Sequence, residues 1–253
     1  MDGALHQSTN REALAALAWL VEAGIDTLVE DTPYAWLAPP APEQIPPPNV
    51  AEPITPCEAD AVVEARNSVV SVDSLSALQA ALAEFDGCAL ATHGTRPLFS
   101  GGVAGSALMI VGDMPTAEDV GEDNIFSGRA GLLLDRMLAA IGLDRSTVYL
   151  ANSVYWTTPG GRTPAAAEIA ACLPFLTRQI ELAKPRIVLA LGGTATAALT
   201  RTSSGIARLR GKWQDGVVPV LPSFHPLQLL AQPSLKALAW RDLLTLKARL
   251  DNA

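Results

Sequence analysis

Short, uninterrupted apolar runs that alternate with helical patterns constrain the fold of this chain more than any other feature. The apolar runs predict strands at residues 107–111, 147–151, 186–191 and 217–221. The helical patterns cover residues 130–141, 164–182 (with Thr163 as N-cap and Pro164 in the first turn), 194–199 and 234–250. Apolar strands that alternate with helices are typical of a parallel sheet covered on both faces. The sequence therefore predicts an α/β fold, a three-layer α/β/α sandwich around a mostly parallel four-stranded sheet.

The N-terminal part of the chain has a different composition. Residues 9–12, Thr-Asn-Arg-Glu, match a capping box and predict the start of a helix that ends near Gly24. Nine of the 19 prolines fall between residues 33 and 56, which predicts an extended linker or strap. We therefore expect three parts, which are an N-terminal helical extension (1–32), a Pro-rich linker or strap (33–56) and an α/β/α domain (57–253).

Charge is distributed unevenly along the chain. The net charge of −8 at first argues against a nucleic-acid partner. Residues 1–75 hold 12 acidic and 2 basic side chains, however, whereas 7 acidic and 15 basic side chains follow Asn124. The basic C-terminal half is therefore compatible with a phosphate backbone. The acidic, Pro-rich N-terminal third is a candidate region for binding a protein partner.

Cysteine usage and the apolar runs bear on the cellular setting. The three cysteines, Cys57, Cys88 and Cys172, are an odd number without a CxxC pair, which is typical of free thiols in a reducing compartment. The N-terminus lacks the pattern of a signal peptide, and no run reaches the ~18 apolar residues of a membrane span. The expectation is a cytoplasmic protein without a membrane partner.

Polar or glycine residues follow each predicted strand. The carboxyl ends of parallel strands lie at one edge of a sheet, where α/β proteins bind ligands. Taken singly, an Asp or Asn after a strand forms a turn, Gly-Gly permits close packing, and a loop histidine satisfies its own hydrogen bonds. Brought to one edge, they predict a binding or catalytic site. The residues at that edge are Gly112-Asp113-Met114-Pro115, Asn152, Gly192-Gly193-Thr194 and Ser223-Phe224-His225-Pro226.

The segment at residues 112–131, GDMPTAEDVGEDNIFSGRAG, resembles the first motif of the uracil-DNA glycosylase superfamily, specifically of the thermophile-type family 4. Further motifs match in order around Asn152, at residues 186–195 and 205–213, and at Ser223-Phe224-His225-Pro226, so that the resemblance covers about residues 76–250. It implies hydrolysis of the N-glycosidic bond of a uracil that is flipped out of DNA into a pocket.

The resemblance also implies roles for individual residues. Phe126 matches the aromatic residue on which uracil stacks, and Asn152 matches the amide that pairs with the uracil edge. His225 matches the histidine beside uracil O2, where negative charge develops. Met114 stands where family 1 enzymes have their water-positioning Asp, among the residues that line the base.

Two carboxylates and a set of DNA contacts follow from the same match. Asp113 and Asp119 stand where the family has Glu, and either could stabilise the sugar cation or orient water. The sequence does not decide between them. The phosphate-contact candidates are Gly192, Gly193, Ser223, Arg210 and Lys212, although a solvated basic surface explains the last two equally well.

Family 4 enzymes usually carry an iron–sulfur cluster, which needs four cysteine thiolates. Cys88 and Cys172 fall at two of the ligand positions, but Phe85 and Trp156 fall at the other two. We therefore predict no iron–sulfur centre and no other cofactor or metal.

Three functions remain open from sequence. The first is a monofunctional uracil-DNA glycosylase that acts on single- or double-stranded DNA without a lyase step. The second is a catalytically weak or inactive member that binds damaged or single-stranded DNA, because Thr116, Ile125 and Tyr155 depart from the family motifs. The third is a nucleotide-related hydrolase on a similar scaffold, since fold alone does not determine function.

Overall fold

The computed structural model of the chain describes residues 56–93, 96–202 and 204–252. The predicted helical extension (1–32) and the Pro-rich linker lie outside the described residues, apart from Pro56 at the end of the linker. Within the described ranges, no helix combines the length and the apolar character that are needed to cross a membrane.

Helices and strands alternate from residue 101 onward. The strands are β1 Gly101–Gly102, β2 Leu108–Gly112, β3 Val148–Asn152, β4 Ile187–Leu191 and β5 Val220–Ser223. The helices before and between the first strands are α1 Pro56–Val70, α2 Leu75–Glu84, α3 Ala117–Glu122, α4 Gly128–Ala139 and α5 Ala166–Ala183. The later helices are α6 Gly193–Thr200, α7 Ile206–Leu209, α8 Pro226–Ala231 and α9 Lys236–Asp251.

The sheet is five-stranded with the order β1-β3-β2-β4-β5. Strands β2 to β5 pair in parallel, which confirms the predicted sheet, and Gly112 lies opposite Asn152 at the carboxyl end. The short β1 pairs antiparallel with β3 and was not predicted. A pair of glycines carries no strand propensity, so its pairing depends on the finished edge of β3.

The strands are buried on both faces, which confirms the α/β/α sandwich. Along each strand, alternate side chains belong to different apolar clusters. One face of the sheet packs against α4 and α9, for example through Leu134 and Leu243. The other face packs against α5 and α6, for example through Ile180 and Ala195.

Local expectations differ from the structure in several places, and the strand predicted from residue 217 begins at Val220. The helix predicted at residues 164–182 with Thr163 as N-cap begins instead at Ala166, so that prediction is wrong at its start. The reason is Glu168, whose carboxylate accepts the Ala165 N–H at 2.7 Å and so closes the first turn two residues later. In the segment between β2 and α4, for which the sequence patterns predict no helix, Thr116 and Asp119 form a reciprocal capping box that begins α3.

Candidate active site

Phe126 lies in the turn between α3 and α4, at the carboxyl end of the sheet. Its side chain is 3% exposed, and its ring stacks on that of His225 with the centroids 5.5 Å apart and the planes at 27°. The backbone at Phe126 has φ +57°, in the left-handed region that non-glycine residues rarely adopt. The structure therefore keeps this aromatic ring in place at a cost in backbone strain.

Asn152 meets Phe126 at the end of β2. A β-carbon placed on Gly112 would lie 2.5 Å from Asn152 Oδ1 and 2.7 Å from Phe126 Cζ, so only glycine fits between the two side chains. Asn152 is 2% exposed. Among the described residues, its Nδ2 is the buried side-chain nitrogen or oxygen that lacks a hydrogen-bond partner. Such a group is costly to leave unpaired, which marks it as a donor for a ligand.

His225 is the N-cap of α8, and its ring is nearly buried. Its Nδ1 accepts a hydrogen bond from the Leu227 N–H at 3.2 Å. A neutral imidazole in this position carries its proton on Nε2, which is then free to donate. Burial lowers the pKa of His225 to about 4, although Asp119 opposes that shift, so the ring is neutral at physiological pH.

Asp113 follows β2 directly and points toward the start of α6. Its Oδ1 accepts the Ala195 N–H at 2.8 Å, and its carboxylate lies so close to Gly192 that a β-carbon there would be 2.1 Å from Oδ2. Burial raises the pKa of Asp113 to about 6, more than the amides of Ala195 and Thr194 lower it. This carboxylate can therefore take up and release a proton near neutral pH.

Asp119 is buried and has a different environment from Asp113. Its Oδ2 accepts the Thr116 N–H at 2.7 Å and the Thr116 hydroxyl at 2.8 Å. Its Oδ1 accepts the Ser127 N–H, next to Phe126. Because both oxygens bind the chain itself, the carboxylate holds the loop around the aromatic ring and has little capacity left for water.

Met114, predicted to line the base, lies one residue beyond Asp113. Its side chain packs with the apolar cluster around Trp156, and its Sδ accepts the Thr158 hydroxyl at 3.3 Å. The structure thus places Met114 between the sheet edge and that cluster, and its predicted contact with the base stays a prediction.

The predicted phosphate contacts fall into two groups. Gly193 and Lys212 are exposed, as contacts with a DNA backbone require. Ser223 is fully buried, and its hydroxyl donates to Asp242 Oδ2 at 2.7 Å. Gly192 is buried as well, and its N–H donates to the Ser223 carbonyl.

The guanidinium of Arg210 binds Asp242 instead of extending from the surface. Its Nε donates to Asp242 Oδ2 at 3.0 Å, its Nη2 donates to Asp242 Oδ1, and its guanidinium lies 5.5 Å from the centroid of the Phe224 ring. Asp242, on α9, is 1% exposed and was missed by the sequence reasoning. The signal for it is a lone acid inside the apolar helical pattern LKALAWRDLLTL, where a carboxylate needs partners.

Sequence comparisons agree with this geometry. Residues 99–244 match the family model of the uracil-DNA glycosylase superfamily, which is more than half of the chain. The chain belongs to this superfamily. It is 31% identical over 181 residues to the Type-4 uracil-DNA glycosylase of Sulfurisphaera tokodaii, covering 68% of this chain and 82% of that protein.

Two further relatives carry the same name. The Type-4 uracil-DNA glycosylase of Thermotoga maritima is 36% identical over 150 residues, covering 58% of this chain and 78% of that protein. The one of Pyrobaculum aerophilum is 34% identical over 145 residues, covering 54% and 74%. The chain is thus a family 4-like member of the superfamily, whose enzymes are hydrolases.

The residues at the family's cluster position do not fit an iron–sulfur cluster. Cys88 and Cys172 are buried and hydrogen-bonded to each other, and this hydrogen bond, together with burial, raises the pKa of the Cys172 thiol. Phe85 and Trp156 occupy the remaining positions and are 5% and 2% exposed. Two thiols cannot replace four thiolates. Within the described residues, no three His, Cys, Asp or Glu side chains converge on a metal position.

We call this region the aromatic cluster, since rings fill it. The Phe85 and Phe175 centroids are 5.0 Å apart, and Tyr155 contacts both Trp156 and Phe175 edge-on. Phe85 and Trp156, at the two ligand positions without a cysteine, are thus packed among other aromatic rings. The absence of an iron–sulfur cluster stays a prediction, which measurement of the iron content of the purified protein tests.

Proposed function

We propose that this protein removes uracil from DNA by hydrolysing the N-glycosidic bond of a flipped-out deoxyuridine. The observation that carries the proposal is the unpaired, buried Nδ2 of Asn152, whose side chain lies across Gly112 from the ring that matches the family's stacking residue. A buried donor without a partner discriminates strongly among ligands, because a base that cannot accept its hydrogen bond leaves it unsatisfied.

Recognition of the base follows from Phe126 and Asn152 together. The Phe126 ring offers an apolar face on which an extruded pyrimidine stacks. Uracil presents an acceptor, O4, next to a donor, N3–H, and the Asn152 amide offers the complementary Nδ2 donor and Oδ1 acceptor. Cytosine presents a donor and an acceptor in the opposite order, so it pairs poorly with the same amide.

Bond cleavage leaves an electron pair on the uracil ring. The C1′–N1 bond breaks, and negative charge spreads from N1 to O2. His225 donates from Nε2 to O2, because Nδ1 is held as an acceptor by the Leu227 N–H. A neutral donor fixed in place before the reaction stabilises developing charge without reorganisation.

Water then adds to the sugar. We assign Asp113 as the carboxylate that takes the proton of this water, because its pKa of about 6 suits a base at neutral pH. Its negative charge also stabilises the oxocarbenium-like C1′. Asp119 acts by positioning, since its oxygens accept from Thr116 and Ser127. The uracil anion takes its proton from solvent after release.

DNA binding is proposed through the exposed candidates. Lys212 and the Gly193 backbone are exposed and can bind phosphate oxygens. Arg210 and Ser223 instead hydrogen-bond to Asp242 and so stabilise the carboxyl end of the sheet. Phosphate contacts position the strand without reading its sequence. Binding is therefore expected to weaken with salt.

The test is a cleavage assay with the full chain on single- and double-stranded oligonucleotides that contain one uracil, followed by alkali to cut abasic sites. Product with uracil, and none with cytosine or thymine at the same position, supports the proposal. Salt-sensitive binding without abasic product from either substrate would instead identify a DNA-binding member that does not cleave. Hypoxanthine and mismatched bases in the same assay define the base preference.

A further inference from the structure

The geometry of the Phe126 turn points to one more residue of the reaction. The inference rests on the proposed function. We propose that Arg145 is a positioning residue that holds Phe126 in its base-stacking conformation. Arg145 lies between α4 and β3. In this proposal it does not contact the base or the sugar, and it affects the reaction by holding Phe126.

The guanidinium of Arg145 binds the backbone on both sides of the Phe126 α-carbon. Its Nη1 donates to the Ile125 carbonyl at 3.0 Å, and its Nη2 donates to the Phe126 carbonyl. On the other side of the same peptide, the Ser127 N–H donates to Asp119 Oδ1. The peptide between Phe126 and Ser127 is thus held at its oxygen by a cation and at its nitrogen by an anion.

The hydrogen bonds of Arg145 and Asp119 to this peptide account for the strained backbone at Phe126. The left-handed conformation at Phe126 is unfavourable for a residue with a β-carbon. It persists only where surrounding contacts determine it, and the described contacts to this peptide come from Arg145 and Asp119. Without Arg145 the turn can relax to an ordinary conformation, which rotates the Phe126 side chain away from Asn152 and His225.

The rest of the turn is shaped around the guanidinium. Asp135, on α4, accepts the Arg145 Nε–H at 2.6 Å and so fixes the plane of the group. One turn earlier on the same helix, a β-carbon at Gly131 would lie 1.9 Å from the Phe126 carbonyl oxygen and 2.8 Å from Arg145 Nη2. A planar fork that reaches two carbonyls and a carboxylate is a geometry that Lys cannot reproduce.

The experiment compares Arg145→Met with a matched control, Arg178→Met. Arg178 also donates to a backbone carbonyl, that of Val72, and to a carboxylate, that of Glu181. The two arginine side chains are 28% and 29% exposed. We expect Arg145→Met to lower kcat/KM on the uracil oligonucleotide by about 10- to 100-fold, as a displaced binding group does. Arg178→Met is expected to stay within about threefold, as a surface change away from the site does.

A double-mutant cycle separates positioning from general stability. If Arg145 acts through Phe126, Arg145→Met in the Phe126→Ala background costs less than about threefold, because the ring it positions is gone. Multiplicative losses in the two backgrounds would overturn the inference. Arg145→Lys, which keeps charge and length, is expected to lose about tenfold and provides a second variant if Arg145→Met does not fold.

Amide hydrogen exchange tests the same contact without relying on activity. Peptides that cover residues 124–128 should exchange faster in Arg145→Met than in the wild type, and at the wild-type rate in Arg178→Met. Unchanged exchange at this turn overturns the inference, even if uracil is cleaved. An inactive wild type would instead refute the proposed function, while faster exchange would still support the hold of Arg145 on Phe126.

Discussion

The carboxyl end of the sheet and the aromatic cluster handle buried polar groups in opposite ways. At the sheet end, Asn152 Nδ2 lacks a partner, Asp113 has a raised pKa, and Phe126 is strained. In the aromatic cluster, the Tyr155 hydroxyl donates to Gln179 Oε1 at 2.9 Å, and Gln179 Nε2 donates to the Phe99 carbonyl at 3.0 Å.

The difference shows which region is arranged for a ligand. A buried amide that is fully bonded by its neighbours, as Gln179 is, stabilises a unique packing. A buried amide that is left unpaired costs free energy unless a ligand completes it, as proposed for Asn152. Changes at the sheet end should therefore reduce activity, and changes in the aromatic cluster should reduce stability.

The largest expected effect is on catalysis from the sheet end. Asn152→Ala and His225→Ala should each lower the single-turnover rate by about 10³-fold, the loss typical of removing a preorganised donor to developing charge. Glu122→Ala, which changes an exposed acid at the end of α3, should leave the rate within about twofold, as surface changes do. Equal rates for Asn152→Ala and the wild type would show that the unpaired amide does not read the base.

Asp113→Asn should lower the rate by about 10²-fold, because an amide cannot accept the proton of water. In the wild type, the rate should rise as the pH is raised through about 6, because Asp113 loses its proton there and becomes able to act as a base. This acidic limb should vanish in Asp113→Asn and remain in Glu118→Gln. If the fall in rate at low pH persists in Asp113→Asn, another group causes it. His225, with a pKa of about 4, titrates too low to be that group.

A smaller effect is expected for a substitution in the aromatic cluster, and it concerns the stability of the fold. Tyr155→Phe should lower the free energy of unfolding by about 1–2 kcal/mol, because it leaves the buried Gln179 oxygen without its donor. Denaturant unfolding measures this, with Thr245→Val as control, which removes a half-buried hydroxyl that donates to the Arg241 carbonyl within α9. The rate at saturating enzyme should be unchanged; a rate loss as large as that of Asp113→Asn would erase the distinction between the regions.

The smallest effect is expected from metal removal. Purified protein should contain far less than one iron per chain and show no visible absorption of an iron–sulfur cluster, since Phe85 and Trp156 stand at two ligand positions. Dialysis against a chelator should leave uracil cleavage and unfolding unchanged. Stoichiometric iron in the purified protein would contradict the prediction and would place a cofactor in the aromatic cluster.

Much of this could be predicted from sequence, because each central strand is fully buried and therefore continuously apolar. The edge positions of Asn152 and His225 were likewise predictable, since each ends or closely follows a strand, whereas Phe126 was placed beside them only by the resemblance to the family motif. The start of β5 was not, because Val217 is 57% exposed and belongs to the preceding turn despite its apolar character. Local composition cannot distinguish such a residue from the strand it precedes.

The partners of Arg145 and Asp242 could not be identified from the sequence, because they lie far along the chain. Arg145 binds carbonyls 19 and 20 residues away, and Asp242 binds Ser223 and Arg210 at 19 and 32 residues. The lone acid inside an apolar helical pattern indicates that Asp242 needs partners, but nothing near either residue in the sequence indicates which groups it contacts. Asp119 differs, because the resemblance named it and its partners Thr116 and Ser127 lie only three and eight residues away. What the sequence did not indicate is that both of its oxygens bind the chain itself.

The buried carboxylate of Asp242 has a consequence for biosynthesis. The strand that ends in Ser223 and the loop that carries Arg210 are both bonded to this one group on the last helix. Until that helix has left the ribosome and docked, a hydroxyl and a guanidinium lack their common anchor, and the turn that leads into His225 lacks its support. The site therefore reaches its working geometry only once α9 has been synthesised and has docked.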